Sequence, residues 1–493
     1  MDRKVLYALA VVMLLILVAF GGFIMLGGKK PAPPRPKAAA PPMAPGMVWE
    51  APYNFGKQGY EPSLVADSKG YMYYTAHKNL DDKGTWDYLA SWFFVGSPDG
   101  KSWKSPDQPT VRGQMWKTYT GDEGDIAIDA NDRIYFVDTY LIDNHLHVWD
   151  SPGVWQYSLR VQKTTGLDDR PWIAAQGNNI CHYLGNNAVE VNGGRYWYYR
   201  STTGGRIWSG ATSVPGNGWA HIDAETKGQN CYIISEGDVG VPADILVYQS
   251  KDSGASWNFN DPAVVGFRDG PGSIDGIAAN GENVWISAGG SGAVWCLWSL
   301  TYGVESHNRL FVGYSLDNGA TWDNSEITPW DGYFLYPTMD VGEDGSVAVA
   351  FYATDSSTTG GAPVTDQSEW HLYAGMLKPD SPYHPANPAF NATSSAMRSY
   401  LQYEANHTKN ATNATAAMNN TVFFNFTKGD PKPCSTGTNL HDLHDFFEIA
   451  IGPDGTLNVA YQYFVGPANG ASEMCYGRGT LASGGATNST RAG

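Results

Sequence analysis

Between residues 47 and 480 the hydrophobic and polar positions fall into one repeated pattern. A small or Pro residue leads into a short apolar stretch, a Gly/Asp/Asn cluster follows, and an aromatic-rich stretch closes the unit, as in a β-hairpin. The copies are EPSLVADSKGYMYYTAH from Glu61, EGDIAIDANDRIYFVDT from Glu123, RPWIAAQGNNICHYLG from Arg170 and WAHIDAETKGQNCYIIS from Trp219. Three more are IDGIAANGENVWISAG from Ile274, YPTMDVGEDGSVAVAFYA from Tyr336 and FFEIAIGPDGTLNVAYQY from Phe446. A third stretch follows each copy, beginning at Tyr88, Gly153, Arg195, Asp244, Arg309, Glu369 and Ser472. With a fourth strand ahead of the next copy, each unit becomes a four-stranded propeller blade. The chain runs out after the seventh copy, whereas MVWEAPYNF ahead of the first resembles ITPWDGYF, the fourth strand expected ahead of the sixth. The pattern predicts an all-β fold: a single seven-bladed β-propeller over 47–480, its ring closed by the N-terminal strand, followed by a disordered tail over 481–493.

A different pattern precedes the propeller. After a short flank, residues 1–4, comes an uncharged stretch over 5–28 that is long enough to cross a bilayer as one helix, and it reads as a signal anchor. The Pro/Ala-rich residues 29–46 read as an extended stalk. Lys and Arg on the C-terminal flank favour a cytoplasmic body, but the N-x-S/T acceptors oppose that. They are Asn391, Asn406, Asn410, Asn413, Asn419, Asn425 and Asn488, and all but the last crowd into an insertion over 378–440 of the sixth unit. That density places the body outside the cell, on a single-pass membrane anchor.

Several third-to-fourth strand turns carry a common motif: SKDSGASW over Ser250–Trp257 and SLDNGATW over Ser315–Trp322. SPDGKSW from Ser97 is one residue shorter, and STTGGRIW from Ser201 has Thr203 in place of the Asp. These segments resemble the Asp box, or BNR repeat, of the sialidase superfamily. The resemblance implies Asp-box turns on a β-propeller, on the face away from the family's active site. Turn chemistry explains the residue types without any catalysis: an acceptor for backbone N–H groups, a Gly for positive φ, and a Trp covering the hairpin.

Composition narrows the partners. The chain carries a formal charge of −17, and six basic residues but one acidic residue precede Val48, so the body is more acidic than the whole. Clustered Lys and Arg for phosphate contacts are missing, which excludes nucleic acid. Five cysteines are too few for a disulfide scaffold. Outside the cell some are expected to pair, Cys434–Cys475 first and Cys181–Cys231 second.

Candidate site residues are those at the leading ends of the first strands and in the loops beside them. Glu61, Glu123 and Asp169 are the candidate catalytic carboxylates, since hydrolysis of a glycosidic bond needs two facing it. Arg170, Trp219, Arg268, Arg309, Tyr336 and Asp445 are candidate ligand contacts on the same rim. Trp295 and Trp298, in an expected long loop over Ser287–Arg309, add aromatic faces for sugar rings or protein partners. His77, His147 and His444 are candidate metal ligands, and structural calcium on acidic turns such as Asp122–Asp125 is a further candidate. The sialidase likeness stops short of a sialidase: the resemblance implies an early Arg-Ile-Pro motif, and none occurs. The leading expectation is a cell-surface propeller that recognises glycan or protein partners through its outward face. A glycoside hydrolase acting on extracellular glycans is the alternative, and a structural cell-coat protein the second.

Overall fold

Runs rich in Val, Ile, Tyr, Phe and Trp become strands here because their branched and planar side chains fill pleated surfaces covered on both sides by neighbouring sheets. The computed structural model describes residues 46–78, 91–106, 110–111, 114–115, 123–139, 144–161, 168–187, 196–216, 219–237, 243–268, 284–301, 308–329, 334–354, 369–381, 383–387, 424–429, 434–435, 446–464 and 472–482. All belong to the unit Ala44–Gly493. Among them no helix is long and apolar enough to cross a membrane; the expected anchor and stalk lie outside the described residues.

The fold is an all-β propeller. Antiparallel strands form one eight-stranded sheet, four four-stranded sheets and one five-stranded sheet, with a small hairpin of Thr110–Val111 and Gln114–Met115. The inner strands are Tyr53–Ala66, Glu123–Ile128, Asp168–Gln176, Ala220–Ala224, Val284–Ala288, Phe334–Val341 and Glu448–Ile451. Each lies against the next, and Glu448–Ile451 lies against Tyr53–Ala66. The eight-stranded sheet joins the two ends of the chain. Met47–Trp49 and the first part of Tyr53–Ala66 pair with Ser472–Leu481, and the second part of Tyr53–Ala66 pairs with Met72–Lys78.

Apolar side chains interdigitate between sheets, the largest cluster including Trp172, Ile222, Trp285, Leu297, Val349 and Phe446. At the SxDxGxxW turns, Gly254 N–H donates to Ser250 Oγ and Ser256 N–H to Asp252 Oδ1, each at 2.8 Å, with φ +77° at Gly254. Ser315, Asp317, Gly319 and Thr321 repeat this arrangement. Both Asp side chains are taken up by their own turns.

Several expectations are corrected. In the second unit the third strand is His145–Asp150 and GVWQYSLR supplies the fourth, Val154–Arg160. In the fifth unit VWISA is the inner strand rather than the second, and Val294–Thr301 pairs with it. Trp295 and Trp298 therefore sit in a strand, 0% and 2% exposed, instead of a loop. Their run AVWCLWSL is apolar throughout because both faces of the strand are covered, which removes the alternation that marks a half-buried strand. The fourth strand ahead of the sixth unit is Asp323–Glu326, and ITPWDGYF is not that strand.

Cys181 and Cys231 do not pair. Both are free, buried thiols in separate apolar clusters, Cys181 with Tyr135 and Val148, and Cys231 with Ile222 and Trp285. Burial pushes the Cys181 thiol up and the Cys231 thiol up to about 12, so each behaves as a small hydrophobe. The Cys434 side chain lies outside the described residues.

Candidate functional site

Three inner strands are interrupted by a shift of register, each on an X–Pro pair: Glu61–Pro62, Arg170–Pro171 and Tyr336–Pro337. Proline has no N–H to give the ladder, so pairing breaks there. Glu61 and Tyr336 adopt left-handed backbone, φ +48° and +52°, a strained conformation for residues other than glycine. Both are buried. The Glu61 carboxylate lies 3.8 Å from His77 Nε2, with the Tyr60 ring 4.7 Å from the imidazole. Gln462 Oε1 accepts the Glu61 N–H at 2.8 Å.

An aromatic cluster lies on the axis of the ring. The Trp172 ring meets His221 at 5.0 Å, Phe446 at 5.1 Å, Trp285 at 5.5 Å and Trp219 at 5.8 Å. Trp172, Trp285 and Phe446 come from inner strands that are not neighbours, or from just ahead of one, so rings that touch must do so on the axis. Beyond the cluster, towards the hairpin turns of the inner strands, lies a cavity of about 520 Å³.

Four carboxyls on the cavity wall join one inner strand to the next. Leu64 N–H donates to Glu448 Oε2 at 3.0 Å, and Ile173 N–H to Asp125 Oδ2 at 2.7 Å. Ala288 N–H donates to Asp223 Oδ2 at 2.9 Å, and Ile451 N–H to Asp340 Oδ2 at 2.6 Å. An inner strand has one edge on the axis with no strand beside it, and these acids supply the acceptors that a ladder would. Burial pushes the Asp223 carboxyl up to about 7 and raises Asp340. Burial also raises Asp125 and Glu448, the latter further by its charged neighbour Asp125. Burial drives His221 down to about 3, so it is a neutral imidazole stacked on Trp285 at 4.0 Å.

Of the residues singled out from sequence, Glu61 and Tyr336 are buried at the register shifts and Trp219 is half-buried beside the axial cluster. Glu123, Asp169, Arg170 and Arg268 lie in described strands, but their side chains, and all of Asp445 and His444, are outside the described residues. Arg309 is buried in the strand Asn308–Ser315. Trp295 and Trp298 are core residues and line no open face. His77 and His147 occupy different sheets, and among the described residues no three metal-ligating side chains converge. His147 instead shares a 2.6 Å hydrogen bond with Ser158. Asp125, in the expected acidic calcium turn, points to Ile173 in the next inner strand. Asn425 is half-buried; the other sequons lie outside the described residues.

Asp125, His221, Asp223, Asp340 and Glu448 were not singled out for these roles. Their signal was an acid or imidazole embedded in an apolar first strand, as in DIAI, HIDA, TMDV and FEIA.

No family model matches the chain, and no curated protein matches it. Among solved structures it is similar to a PL25 ulvan lyase, at 10% identity and a TM-score of 0.46, covering 86% of this chain and 95% of the other. It is also similar to the intramolecular trans-sialidase of Ruminococcus gnavus: 11% identity, TM-score 0.37, covering 86% and 96%. For the NanB sialidase of Streptococcus pneumoniae the values are 10%, 0.36, 88% and 70%.

Proposed function

We propose that the chain is a seven-bladed Asp-box β-propeller that hydrolyses glycans at its mouth, with the Glu61 carboxylate as a catalytic group. The observation that carries this reading is Glu61 itself: buried, strained and 3.8 Å from His77, where the inner strand Tyr53–Ala66 shifts register. Strain of this kind persists only where surrounding structure holds it, and it concentrates at functional sites. The succession of inner strands, the last against the first, supports the blade count. Glu123 and Asp169, near the starts of the next two inner strands, are the nominees for the second carboxylate that hydrolysis needs. The acid excess of the body favours neutral over anionic sugars. In this reading the body stands outside the cell on the anchor over 5–28 and carries glycans on the 378–440 insertion.

The test is release of reducing ends by the full chain from neutral and anionic polysaccharides. Glu61→Gln should lower kcat by about a hundredfold or more, the usual worth of a positioned acid or base. An unchanged rate removes Glu61 from the chemistry.

Recognition without turnover is the second reading, favoured by the half-buried Trp219 ring against Trp172. Saturable binding with no reducing ends released, and loss of that binding in Trp219→Ala, would establish it.

A further inference from the structure

The cavity walled by Asp125, Asp223, Asp340 and Glu448 has room for an organic ligand: its volume of about 520 Å³ falls within the usual range for such pockets, about 300–1,000 Å³. Its carboxyls are fixed in place but not used up. Asp125 accepts the Ile126 and Ile173 N–H groups, each at 2.7 Å, and Asp223 those of Ala224 and Ala288 at 2.7 and 2.9 Å. Asp340 accepts those of Val341 and Ile451 at 2.8 and 2.6 Å, and the Ser287 hydroxyl at 3.2 Å. An ionised carboxyl has about four lone-pair sites, so each of these Asp side chains retains capacity for a further donor.

A second tier of acids stands in the hairpin turns, where Asp67, Asp129, Asp132, Glu343 and Asp344 also line the cavity. Asp125 and Asp129 are four residues apart in one hairpin, as are Asp340 and Asp344, which at the rise of a strand separates the tiers by roughly 10 Å. Among the described residues Lys227 is the one ammonium on the lining, and Glu343 holds it at 3.3 Å. A concave wall of one sign focuses the field and enriches cations.

Independently of that field, His221 points to a ligand. It is 7% exposed and lines the cavity, and its Nδ1 has no hydrogen-bond partner. Buried polar groups are normally satisfied. A neutral imidazole protonated at Nε2 offers a lone pair at Nδ1, which suits an N–H donor. The rest of the ligand follows from what lies beside the acids. Ile126, Ile222, Met339 and Ile449 each adjoin a wall carboxyl in sequence and line the same cavity, so methylenes fit against them as ammonium groups fit against the acids. Among the described residues no three metal-ligating side chains converge, so a directly coordinated metal ion fits less well.

We propose that this cavity is a second binding site, selective for a linear aliphatic polyamine whose ammonium groups reach the two tiers of carboxyls and His221 Nδ1 while its methylenes lie against the apolar wall. The site is separate from Glu61 and does not depend on what that residue binds or cleaves.

Spermidine is the probe, titrated into the full chain by calorimetry. At about pH 8, above the value of about 7 to which burial pushes Asp223, that carboxyl is charged. A single saturable site is expected, and no binding of a diol of the same length. His221→Phe keeps a ring to stack on Trp285 and removes Nδ1, so it should weaken binding by about tenfold or more. Lys227→Ala removes a competing ammonium and should tighten binding several-fold, more so at low salt. Glu61→Gln should bind as the wild type does. In the wild type the His221 ring signals should shift on addition of spermidine, and this NMR titration decides if His221→Phe fails to fold. The proposal is overturned by the absence of saturable uptake, by uptake unchanged in His221→Phe and Lys227→Ala, or by unmoved His221 signals. Loss of binding in Glu61→Gln, or displacement of spermidine by an equal concentration of Mg²⁺, overturns it as well.

Discussion

The backbone N–H of Glu61 donates to Gln462 Oε1 at 2.8 Å, so one strand of the eight-stranded sheet sets the left-handed backbone of another. Gln462 is itself fixed from the adjoining sheet: Tyr352 Oη donates to its carbonyl at 2.9 Å and accepts its N–H at 3.1 Å. Gln462→Ala leaves the buried Glu61 N–H without this acceptor. The expected cost is about 1–3 kcal/mol in denaturant unfolding, together with a fall in any glycan hydrolysis although Glu61 is intact.

A second prediction concerns acid. His182 is fully buried between Tyr198 Oη, 2.8 Å from Nδ1, and Gln176 Oε1, 2.9 Å from Nε2. Burial pushes its pKa down to about 3, below the unfolded value of about 6.5. A lowered folded value means the unfolded chain binds the extra proton, so this stability is present above about pH 6.5 and drains away as pH falls towards 3. In His182→Gln the unfolding constant should lose up to about a tenfold dependence per pH unit relative to wild type. Identical slopes in the two proteins would show that His182 is already protonated when folded.

How much of this was legible in the sequence follows from what each residue's neighbours are. Apolar runs flanking a Gly/Asp/Asn turn announce a hairpin locally, so an inner strand such as Glu123–Ile128 fell within its expected repeat. Val294–Thr301 did not, because a strand covered on both faces has no alternation to read. Glu61 and Tyr336 were marked by position at the leading ends of the expected first strands, but their left-handed backbone was not. The wall acids were invisible as a set because their partners are N–H groups of the next inner strand, 48 residues away for Asp125 and 384 for Glu448. No local spacing encodes such a pairing.

The misplaced tryptophan gives a third prediction. Trp298 stacks on Phe311 at 5.8 Å, and its ring occupies the space beside Gly266 where a Cβ would otherwise sit. Trp298→Ala should cost about 3–5 kcal/mol of unfolding free energy, as large core truncations do. Glycan binding by the folded fraction, read by titration below the melting temperature, should be unchanged; a selective loss of affinity would return Trp298 to the ligand face.

Gly254 tests the turn that resembles an Asp box. Its φ of +77° suits glycine, and an added Cβ would collide with Tyr198 Oη and the His182 ring. Gly254→Ala should destabilise by at least the strain of a left-handed non-glycine residue, about 1–3 kcal/mol. It should also loosen the His182–Tyr198 contact. Thermal unfolding measures the first effect, and the His182 ring signals in an NMR pH titration measure the second, by appearing nearer their ordinary range.

The axial cluster carries the last prediction. Trp172 is 1% exposed and is the ring that His221, Trp285, Phe446 and Trp219 share, and two of these, His221 and Trp285, line the carboxyl-walled cavity. Trp172→Ala removes the ring that spans the axis, at a cost of about 3–5 kcal/mol. Water then reaches the wall through the vacated space. Better solvation stabilises the charged forms of the groups it touches, so His221 should rise from about 3 towards its ordinary range and Asp223 should fall from about 7. NMR titration of the His221 ring reads this directly. A variant that loses stability while His221 still resists protonation would show the axis closed by the remaining rings alone.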